Sequence, residues 1–598
     1  FFSEIEGEAQ EKVNLLNRSY PWRTVDKREN FYKNSERIRQ VLQPKKSLTI
    51  YFDGVSREEG ILYLEIANTH FFPVEVLGIS LDDVTTINLP PLDLETLQHE
   101  DSINDHDKSL PWRYGVKRSL KLDIHKDGTV TRLDNGDKLW RIVINSPNAV
   151  NLSINFDDFY IPNGAKLFIY NDDRTDVLLP LTTNQNRNNQ KLGSWFVNGD
   201  KIWIEYFEPA SVHEEVLLNI SSIIHGYRMG QVERYVDGTR GLNDSGDCNY
   251  DVNCPIGEDF DSQKDILKKA VALLNLGNGY LCSAVLINNT NKDKTPYLLT
   301  GNHCLDNSDP AFWSIRFNWM SPSPICGEDE PSPDLQTNFT MSGAELKASN
   351  TLSDFALVEL YNKIPSSWDV AFAGWDITDE LPQFEVGIHH PNGDIMKICR
   401  DNSGAIHETA NGTEVWLVGG VSVGEGNGWE IGTTESGSSG SPLFNQDGKI
   451  IGQLYAGNSS CNGLENNNDY DIYGRLAVSW EAGLTPENRL KEWLDPNQTG
   501  QTQLETIQNL LNVPDFDITG ELKIYPNPAS ETITVMNSRY PNLSYHFYSI
   551  SGQQISHGSV SSTMNTISVA QAAEGMYFLR LTDLDSNSSI TKKIIVSR

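Results

Sequence analysis

Short runs of alternating apolar and polar residues recur along the first part of the chain, and turn-forming residues separate them. Alternation with a period of two is typical of β-strands that bury one face. We therefore expect a β-rich N-terminal region, arranged as a sandwich, that ends near residue 240. The predicted strands are residues 47–52, 61–66, 139–144, 150–156, 165–170 and 201–206.

The following region has similar strand-like runs, which are broken by many glycine and asparagine turns. Two of its segments, residues 263–276 and 486–494, have the spacing of helices. The last unit contains short strands and no cysteine, and its length suffices only for a small sandwich. We predict a mainly β chain whose parts are residues 1–240, 241–498, a linker at 499–517, and 518–598.

The charge is strongly negative and unevenly placed. The 598 residues carry a net charge of −33, and residues 241–500 alone hold 14 Lys and Arg against 37 Asp and Glu. Such an acidic chain is not expected to bind nucleic acid as its main partner, because phosphate binding needs a basic face. No apolar run approaches the ~20 residues of a membrane helix. No start methionine or signal peptide precedes Phe1, so we expect a truncated chain or numbering that begins after processing.

All seven cysteines lie in the acidic middle region. None of them forms the C-x₂-C pairs of a zinc site, and nothing else in the sequence indicates a metal or cofactor. Confinement to one region suits disulfides in an oxidising, exported compartment, with one thiol left over. The cysteines are Cys248, Cys254, Cys282, Cys304, Cys326, Cys399 and Cys461.

Three segments of the middle region carry residues suited to amide hydrolysis. His303 follows an apolar strand, Asp354 precedes another strand, and Ser439 lies on a turn between Gly437 and Gly440. A serine nucleophile, a histidine base and an aspartate that orients the base are the parts of a hydrolytic triad. The N–H groups of Gly437 and Ser439 are the predicted oxyanion hole. The order His, Asp, Ser is typical of two-barrel β-proteases.

Each segment alone also has an ordinary structural interpretation. The aspartate suits a turn, the histidine and cysteine suit a core with a disulfide, and the glycine-flanked serine suits a plain turn. Their order within one β-rich region favours catalysis. The alternative from another class is a non-catalytic binding protein on a protease-like scaffold.

Residues 241–496 resemble the bacterial lysyl endopeptidases, which are secreted serine proteases of the chymotrypsin-like two-barrel fold. The resemblance implies the same triad, and it implies the disulfides Cys248–Cys461, Cys254–Cys326 and Cys282–Cys304, which leave Cys399 free. The matching motifs are Cys248-Asn-Tyr-Asp-Val-Asn-Cys-Pro255, Leu299-Thr-Gly-Asn-His-Cys304, Ser353-Asp-Phe-Ala-Leu-Val-Glu-Leu360, Ala373-Gly-Trp375, His389-His-Pro-Asn392, Gly437-Ser-Ser-Gly-Ser-Pro442, Gly452-Gln-Leu454, Asp471-Ile-Tyr-Gly-Arg475 and Trp493-Leu-Asp-Pro496.

The resemblance also implies how a lysine substrate is read. The position that holds an aspartate in trypsin-like enzymes is Thr433 here, and the resemblance assigns the counter-charge to Asp471. The alternatives are a solvated acidic loop at this position, or a protease selective for Arg or another residue on the same fold. Trp416 falls where the family has a tryptophan at the active site, and Tyr455 replaces the family's partner histidine.

Two other features have ordinary interpretations. The adjacent His389 and His390 suggest a metal site, but neighbours in an extended loop point apart, and a structural loop is the better interpretation. Residues 12–46 carry 10 basic and 3 acidic residues, which suits a solvated face or a dock onto the acidic protease.

The last unit resembles the C-terminal sorting domain of the type IX secretion system of Bacteroidetes. The motifs are Ile524-Tyr-Pro-Asn-Pro-Ala529, Gly575-Met-Tyr-Phe-Leu579 and Lys592-Lys-Ile-Ile-Val596. The resemblance implies export through the periplasm and outer membrane of a Gram-negative cell. It also implies the secretion machinery as a partner.

Activation of the predicted protease needs its own route. In trypsin-like zymogens, an aspartate pairs with the newly formed N-terminus, and this chain has Ser438 at that position. We therefore expect the N-terminal region to restrain the protease by docking. No lysine lies between Lys201 and Lys264, so a Lys-selective enzyme cannot trim itself at the junction. The predicted cut is Arg240–Gly241, made by a separate Arg-cleaving protease, which then releases the N-terminal region.

Overall fold

A computed structural model describes residues 2–3, 49–50, 84–228, 245–328, 339–508 and 522–597, with short gaps at 134, 175, 411, 425–427, 538–542, 550–553, 561–563 and 584–588. The predicted strand at 61–66, the basic segment 12–46 and the junction at Arg240–Gly241 lie outside the described residues. Residues 49–50 of the predicted strand 47–52 pair with residues 2–3. Among the described helices, none is long and apolar enough to cross a membrane. The prediction of a mainly β chain is confirmed.

The N-terminal region contains two five-stranded sheets that enclose one apolar core, whose centre includes Ile142, Ile154 and Ile204. The first sheet contains Gly115–Asp123, Asn151–Tyr160, Leu192–Gly193, Val197–Asn198 and Leu217–Gly226. The second contains Thr86–Asn88, Thr129–Arg132, Lys138–Asn145, Lys166–Asn171 and Lys201–Glu208. The helical segments are Leu94–Asn104, Ile124–Asp127 and Thr183–Gln185. The four strands predicted between residues 139 and 206 are present, each within a few residues of the predicted bounds.

Two larger sheets, which we call the histidine sheet and the serine sheet, build the middle region around a shared apolar core. The histidine sheet contains Trp112–Arg113, Val271–Asn275, Tyr280–Leu286, Tyr297–Gly301, Ser314–Phe317, Phe339–Ser342, Ala344–Asn350 and Phe355–Leu360. The serine sheet contains Tyr250–Asp251, Trp375–Asp376, Glu385–His389, Lys397–Asp401, Ile406–Ala410, Thr413–Val418, Pro442–Asn445, Ile450–Gly457, Asp471–Arg475 and Gln503–Leu504. Two short strand pairs complete the middle region. They are Ala371–Phe372 with Ile507–Gln508 and Cys461–Asn462 with Glu465–Asn466.

The helix predicted at 263–276 is wrong in its second half. The structure has a helix only over Asp261–Leu267, and Val271–Asn275 is a strand buried at every position. An unbroken apolar run fits a central strand as well as a helix, and here the pairing on both sides of the strand decides. The segment predicted at 486–494 divides into Pro486–Asn488 and Lys491–Leu494. The other helical segments are Asn302–Leu305, Pro310–Phe312, Ser366–Trp368, Pro391–Gly393 and Leu476–Glu481.

The C-terminal unit is built from two antiparallel sheets over a separate core around Ile533, Phe547 and Leu579. One sheet contains Leu522–Tyr525, Thr532–Asn537 and Met564–Ser568. The other contains Leu543–Ser549, Gln554–Val560, Gly575–Asp583 and Ser589–Val596. This arrangement agrees with the small sandwich expected from the sequence.

The N-terminal region packs directly against the middle region. Its strand Trp112–Arg113 adds to the histidine sheet by pairing with residues 280 and 281. An apolar cluster joins the two regions, with the Arg316 guanidinium stacked 3.8 Å from the ring centre of Trp195. Its buried members are Trp112, Tyr114, Trp195, Phe196, Ile224, Leu273, Leu281, Trp319 and Ile395. This contact brings the segment before Trp112 to the face where the predicted catalytic residues lie.

Candidate active site

The serine turn is shaped by two glycines with positive φ. Gly437 has φ +91° and Gly440 has φ +78°, a backbone region that side chains disfavour. A Cβ atom added to Gly440 would lie 2.5 Å from the backbone nitrogen of Gly301. The turn that carries Ser439 therefore packs against the end of Tyr297–Gly301, which is the strand that leads to His303.

His303 lies on the short helical turn Asn302–Leu305 and is 7 % exposed. The neighbouring Cys304 is bonded to Cys282 on the adjacent strand, which fixes the turn to the histidine sheet. Because these two sulfur atoms are bonded to each other, the group of Cys282, His303 and Cys304 does not offer thiolates to a metal ion.

Asp354 lies directly before the strand Phe355–Leu360 and binds His303. Its Oδ2 lies 2.7 Å from His303 Nδ1, and its Oδ1 accepts the backbone N–H of His303 at 3.0 Å. Asp354 has φ +52°, a strained region for a residue with a side chain, and its carbonyl accepts the N–H of Asn302 at 2.8 Å. The strain is maintained by these bonds, which set the orientation of the imidazole.

The charge around His303 favours its protonated form. Burial acts against the imidazolium, but the carboxylates around it, led by Asp354 and followed by Asp306 and Asp107, raise the pKa of His303. The other ring nitrogen, Nε2, is buried without a hydrogen bond in the described part of the chain. A general base needs a ring nitrogen that is able to accept a proton, and Nε2 has no other partner among the described residues.

The Ser439 hydroxyl donates to the carbonyl oxygen of Lys108, a residue of the N-terminal region, at 3.2 Å. Among the described residues, no hydrogen bond joins Ser439 to His303. The histidine and aspartate are therefore paired, and the serine hydroxyl is directed at a peptide carbonyl that reaches the turn from outside the middle region.

The Lys108 side chain enters a buried polar pocket and is 3 % exposed. Its ammonium lies 2.5 Å from Asp471 Oδ1. It also donates to the Thr434 hydroxyl at 2.8 Å, the Thr434 carbonyl at 3.2 Å and the Ser459 hydroxyl at 2.8 Å. A buried ammonium is stable only with a counter-charge and a full set of acceptors, and this pocket supplies both.

The carboxylate of Asp471 is fully buried and held on its second oxygen by three donors. Asp471 Oδ2 accepts from Trp429 Nε1 at 2.7 Å, from the Thr434 hydroxyl at 2.7 Å and from the Ser459 hydroxyl at 2.5 Å. Sequence reasoning identified Asp471 but missed these donors and Lys108. Thr434 adjoins the position Thr433 that the sequence singled out, whereas Lys108 carries no local pattern that distinguishes it.

The other predicted residues lie around the site rather than in it. Trp416 is buried in the serine sheet, where its indole N–H donates to the Ile451 carbonyl at 3.0 Å and its ring packs against His407. The tryptophan that contacts Asp471 is Trp429, and a role for Trp416 at the active site stays a prediction. Tyr455 is half-buried on the strand Ile450–Gly457.

The paired histidines support the serine turn. His389 Nδ1 lies 2.8 Å from the Ser438 hydroxyl, and the backbone N–H of His390 donates to Ser283 Oγ. Ser283 Oγ in turn donates to the Gly437 carbonyl at 3.0 Å. Burial lowers the pKa of His390 to about 4 and lowers that of His389 as well, so both rings are neutral. The interpretation as a structural loop accounts for these contacts.

The disulfides join the pairs that the resemblance implies, Cys248–Cys461, Cys254–Cys326 and Cys282–Cys304. Cys399 is left as a buried thiol in the serine sheet, and burial raises its pKa well above the usual value.

Comparison with known proteins finds family similarity in two parts of the chain. Residues 242–474 match the family described as lysyl endopeptidase, C-terminal domain, and residues 523–597 match the secretion system C-terminal sorting domain. A lysyl endopeptidase of Pseudomonas aeruginosa is 26% identical over 295 residues. The resemblance predicted from the motifs is confirmed. The match covers 47% of this chain and 60% of that relative, so this chain spans less than two thirds of its length.

Similarity to solved structures is weak. PorZ, a surface component of the type IX secretion system of Porphyromonas gingivalis, is 10% identical with a TM-score of 0.12, and the match covers 54% of this chain and 41% of PorZ. The BSP domain of a biofilm-associated protein is 9% identical with a TM-score of 0.11, over 81% and 82% of the two chains. Neither bears on function. The sorting domain itself indicates export through type IX secretion in Bacteroidetes, to the cell surface or the medium.

Proposed function

We propose that this protein is a secreted serine endopeptidase that cleaves protein chains after lysine. The observation that carries this proposal is the position of Lys108. Its ammonium is bound by Asp471 while its carbonyl oxygen accepts the Ser439 hydroxyl. A substrate lysine in the same pocket would bring its own carbonyl group, and the bond after it, to Ser439.

In the proposed reaction, Ser439 Oγ attacks the carbonyl carbon of the substrate lysine and gives its proton to His303 Nε2. Asp354 keeps the proton of the resting imidazole on Nδ1 and stabilises the imidazolium that forms. The N–H groups of Gly437 and Ser439 would stabilise the oxyanion, typically by a few kcal/mol for each donor. His303 then protonates the leaving amine, and water hydrolyses the acyl-enzyme with the same histidine as base.

The pocket favours lysine over arginine for a geometric reason. Three donors already occupy Asp471 Oδ2, so only Oδ1 faces the substrate. A guanidinium gains most when both of its nitrogens meet both carboxylate oxygens, whereas an ammonium binds as a point charge. An ammonium has three N–H groups, and the hydroxyls of Thr434 and Ser459 accept hydrogen bonds beside the one that Asp471 accepts.

The domain division and the maturation route belong to the same proposal. Residues 1–240 would be the pro-region, 241–498 a two-barrel protease of the chymotrypsin type, and 518–598 the sorting domain recognised by the secretion machinery. Of the linker predicted at 499–517, the strands Gln503–Leu504 and Ile507–Gln508 pair with the middle region and therefore belong to the protease. The three separate apolar cores support this division. We propose that a separate Arg-cleaving protease cuts at Arg240–Gly241. The Ser439→Ala chain should therefore still be cut there in its native host, as N-terminal sequencing of the middle fragment would reveal.

A peptide panel tests the function. The secreted, processed protein is given peptides that differ only in the residue before the scissile bond, namely Lys, Arg, Glu or Gln. We expect kcat/KM for lysine to exceed that for arginine by on the order of 10²-fold. Equal cleavage after arginine would overturn the lysine selectivity. A processed protein that cleaves no peptide, and whose Ser439 resists a fluorophosphonate, would favour the non-catalytic alternative.

A further inference from the structure

The segment that carries Lys108 is a closed turn. We call residues 105–110 the lysine turn. It follows the helix Leu94–Asn104, and the N–H of Leu110 donates to the Asp107 carbonyl at 3.1 Å, which leaves Lys108 and Ser109 at the tip. The Asp107 carboxylate accepts the backbone N–H of Ser109 at 3.0 Å and its hydroxyl at 2.5 Å. The amide nitrogen that would be the leaving group is therefore bound within the turn.

Both ends of the lysine turn are fixed. At the start, the Asp105 carboxylate is paired with Arg228, and the Asp105 carbonyl accepts the Ser436 hydroxyl at 2.9 Å. At the end, the chain enters Trp112–Arg113, which is paired with the histidine sheet. Arg113 also pairs with Asp101 of the preceding helix at 2.8 Å. The turn is held on two sides and cannot extend without breaking these contacts.

A protease substrate differs from this turn in two respects. Substrates bind to such enzymes as extended strands, because main-chain pairing with a sheet edge aligns the scissile bond. The turn instead bends at that bond. In addition, the Ser439 hydroxyl proton is donated to the Lys108 carbonyl oxygen, whereas attack requires that proton to pass to His303. The lysine occupies the specificity pocket while the reacting groups are arranged unproductively.

Asp107 adds an electrostatic effect on the base. Its carboxylate contributes, after Asp354 and Asp306, to the raised pKa of His303. A protonated imidazole cannot accept the proton of the serine. The turn thus adds a third carboxylate, after Asp354 and Asp306, to the surroundings of the residue that must be neutral for the reaction to begin.

The wider interface keeps the turn in place independently of the chain junction near residue 240. The shared apolar cluster, the added strand and the polar contacts Lys191–Asp309 and Arg187–Asn362 all join the N-terminal and middle regions. Cutting one peptide bond removes none of these contacts. The sequence-based expectation that cleavage simply releases the N-terminal region therefore omits a step.

We propose that the lysine turn is a built-in decoy substrate: Lys108 fills the protein's own lysine pocket, and the site opens only when the N-terminal region is removed or digested, not when the junction alone is cut. This inference rests on the proposed function, because it assigns a regulator to that same site. The decoy is bound by the same carboxylate that would bind a substrate lysine. Lysine selectivity and self-inhibition therefore both depend on Asp471.

The first experiment uses the full chain with Lys108→Met, which keeps the aliphatic stem and removes the ammonium. Its matched control is Lys126→Met in the same region, because Lys126 is exposed and, among the described residues, its ammonium forms an ion pair only with the nearby Asp123. Fluorophosphonate labelling of Ser439 and hydrolysis of a lysine amide are measured immediately after purification, with thermal unfolding as a folding check. We expect Lys108→Met to react at least about 10-fold faster than wild type, and Lys126→Met to react like wild type.

A second experiment needs no variant. A lysyl chloromethyl ketone alkylates His303 only if the lysine pocket is empty and the imidazole is neutral. We expect it to leave the full wild-type chain unlabelled, to leave a chain nicked only at the junction unlabelled, and to label the protein from which the N-terminal region has been digested. Labelling of the full or nicked chain at the rate of the digested protein would overturn the proposal.

Two further results would also overturn the decoy. One is a Lys108→Met chain that folds like wild type and reacts no faster. The other is a mass spectrum of the purified wild-type chain with a fragment that ends at Lys108, because the turn would then be a substrate. If instead no form reacts, including the digested protein, the proposed function itself is wrong, so the two failures are distinguishable.

Discussion

Two buried lysine–aspartate pairs have their aspartates on strands of the serine sheet. Lys397 is 2.7 Å from Asp251, and the two residues face each other on paired neighbouring strands. Lys108 is 2.5 Å from Asp471, but the two residues are 363 positions apart and belong to different regions. The chemistry of the two contacts is the same. They differ in whether the lysine is part of the sheet or reaches the aspartate from a separate region.

That difference separates a structural contact from the proposed recognition site. The carboxylate of Asp251 also accepts the backbone N–H of Ile325, so its surroundings are completed within the middle region. Asp471 is held by three side-chain donors on one oxygen and leaves the other for an ammonium. A buried carboxylate is costly to leave without a counter-charge, and Oδ1 of Asp471 is positioned to accept one. This favours the binding of a lysine from any chain that reaches the pocket.

The largest expected effect comes from removing the proposed nucleophile, Ser439, whose hydroxyl donates to the carbonyl of Lys108 in the second pair. Ser439→Ala leaves both lysine pairs intact, and we expect kcat of the processed protein to fall by roughly 10⁵–10⁶-fold because no acyl-enzyme forms. The matched control is Ser441→Ala, a buried serine two positions later whose hydroxyl has no partner among the described residues. Wild-type turnover by Ser439→Ala would contradict the triad.

Asp471→Asn should break the recognition pair. We expect kcat/KM of the processed protein for lysine peptides to fall about 10²–10³-fold, since the ammonium loses its buried counter-charge while the catalytic groups remain. Glu465→Gln, in the exposed acidic loop nearby, is the control and should change little. If Asp471→Asn cleaves lysine peptides normally, the counter-charge lies elsewhere.

Asp251→Asn should break the structural pair and give the opposite profile. Loss of the Asp251 carboxylate leaves Lys397 with the buried Asp394, 3.5 Å away, as its counter-charge, so we expect the free energy of unfolding to fall by about 2 kcal/mol with unchanged preference for lysine. Asp265→Asn, which removes an exposed i,i+3 pair with Lys268, should cost under about 1 kcal/mol. Chemical denaturation measures both. A change of selectivity in Asp251→Asn would remove the distinction between the pairs.

The pKa of His303 offers a finer test of how the lysine turn acts. Because the pKa is raised in the folded full chain, its protonation stabilises the fold below the unfolded-state pKa of about 6.5, and this stabilisation disappears as the pH rises through the folded-state pKa. Asp107→Asn should lower the pKa of His303, as imidazole NMR titration of the full chain would measure. An unchanged pKa would exclude an electrostatic role for Asp107.

The smallest effect is expected at Cys399. Burial raises the pKa of this thiol, so iodoacetamide should not modify it in the folded chain. Cys399→Ala should lower the free energy of unfolding by about 1 kcal/mol and leave the lysine preference unchanged. Rapid alkylation of the native chain, followed by loss of lysine cleavage, would place the thiol in the recognition site.

Much of the framework was accessible from the order of residues alone. Alternation predicted the strands of the N-terminal region, because a period of two follows from the pleat whatever the sheet order. The motifs around His303, Asp354 and Ser439 identified three segments whose chemistry is local to each. The same reasoning misplaced the end of the helix that begins at Asp261. An unbroken apolar run fits a buried helix and a central strand equally well, and only the neighbouring strands distinguish them.

The position of Lys108 was decided only by the tertiary structure. The chain has many lysines, and no pattern around residue 108 distinguishes the one that enters the pocket. Likewise, the sequence marks Asp471 through its motif, but the donors Trp429, Thr434 and Ser459 meet its carboxylate only because the serine sheet brings separate loops together. Residue identity determines what a group is able to bind, whereas long-range packing determines which groups meet, because contacts between distant segments form only when the chain closes around a shared core.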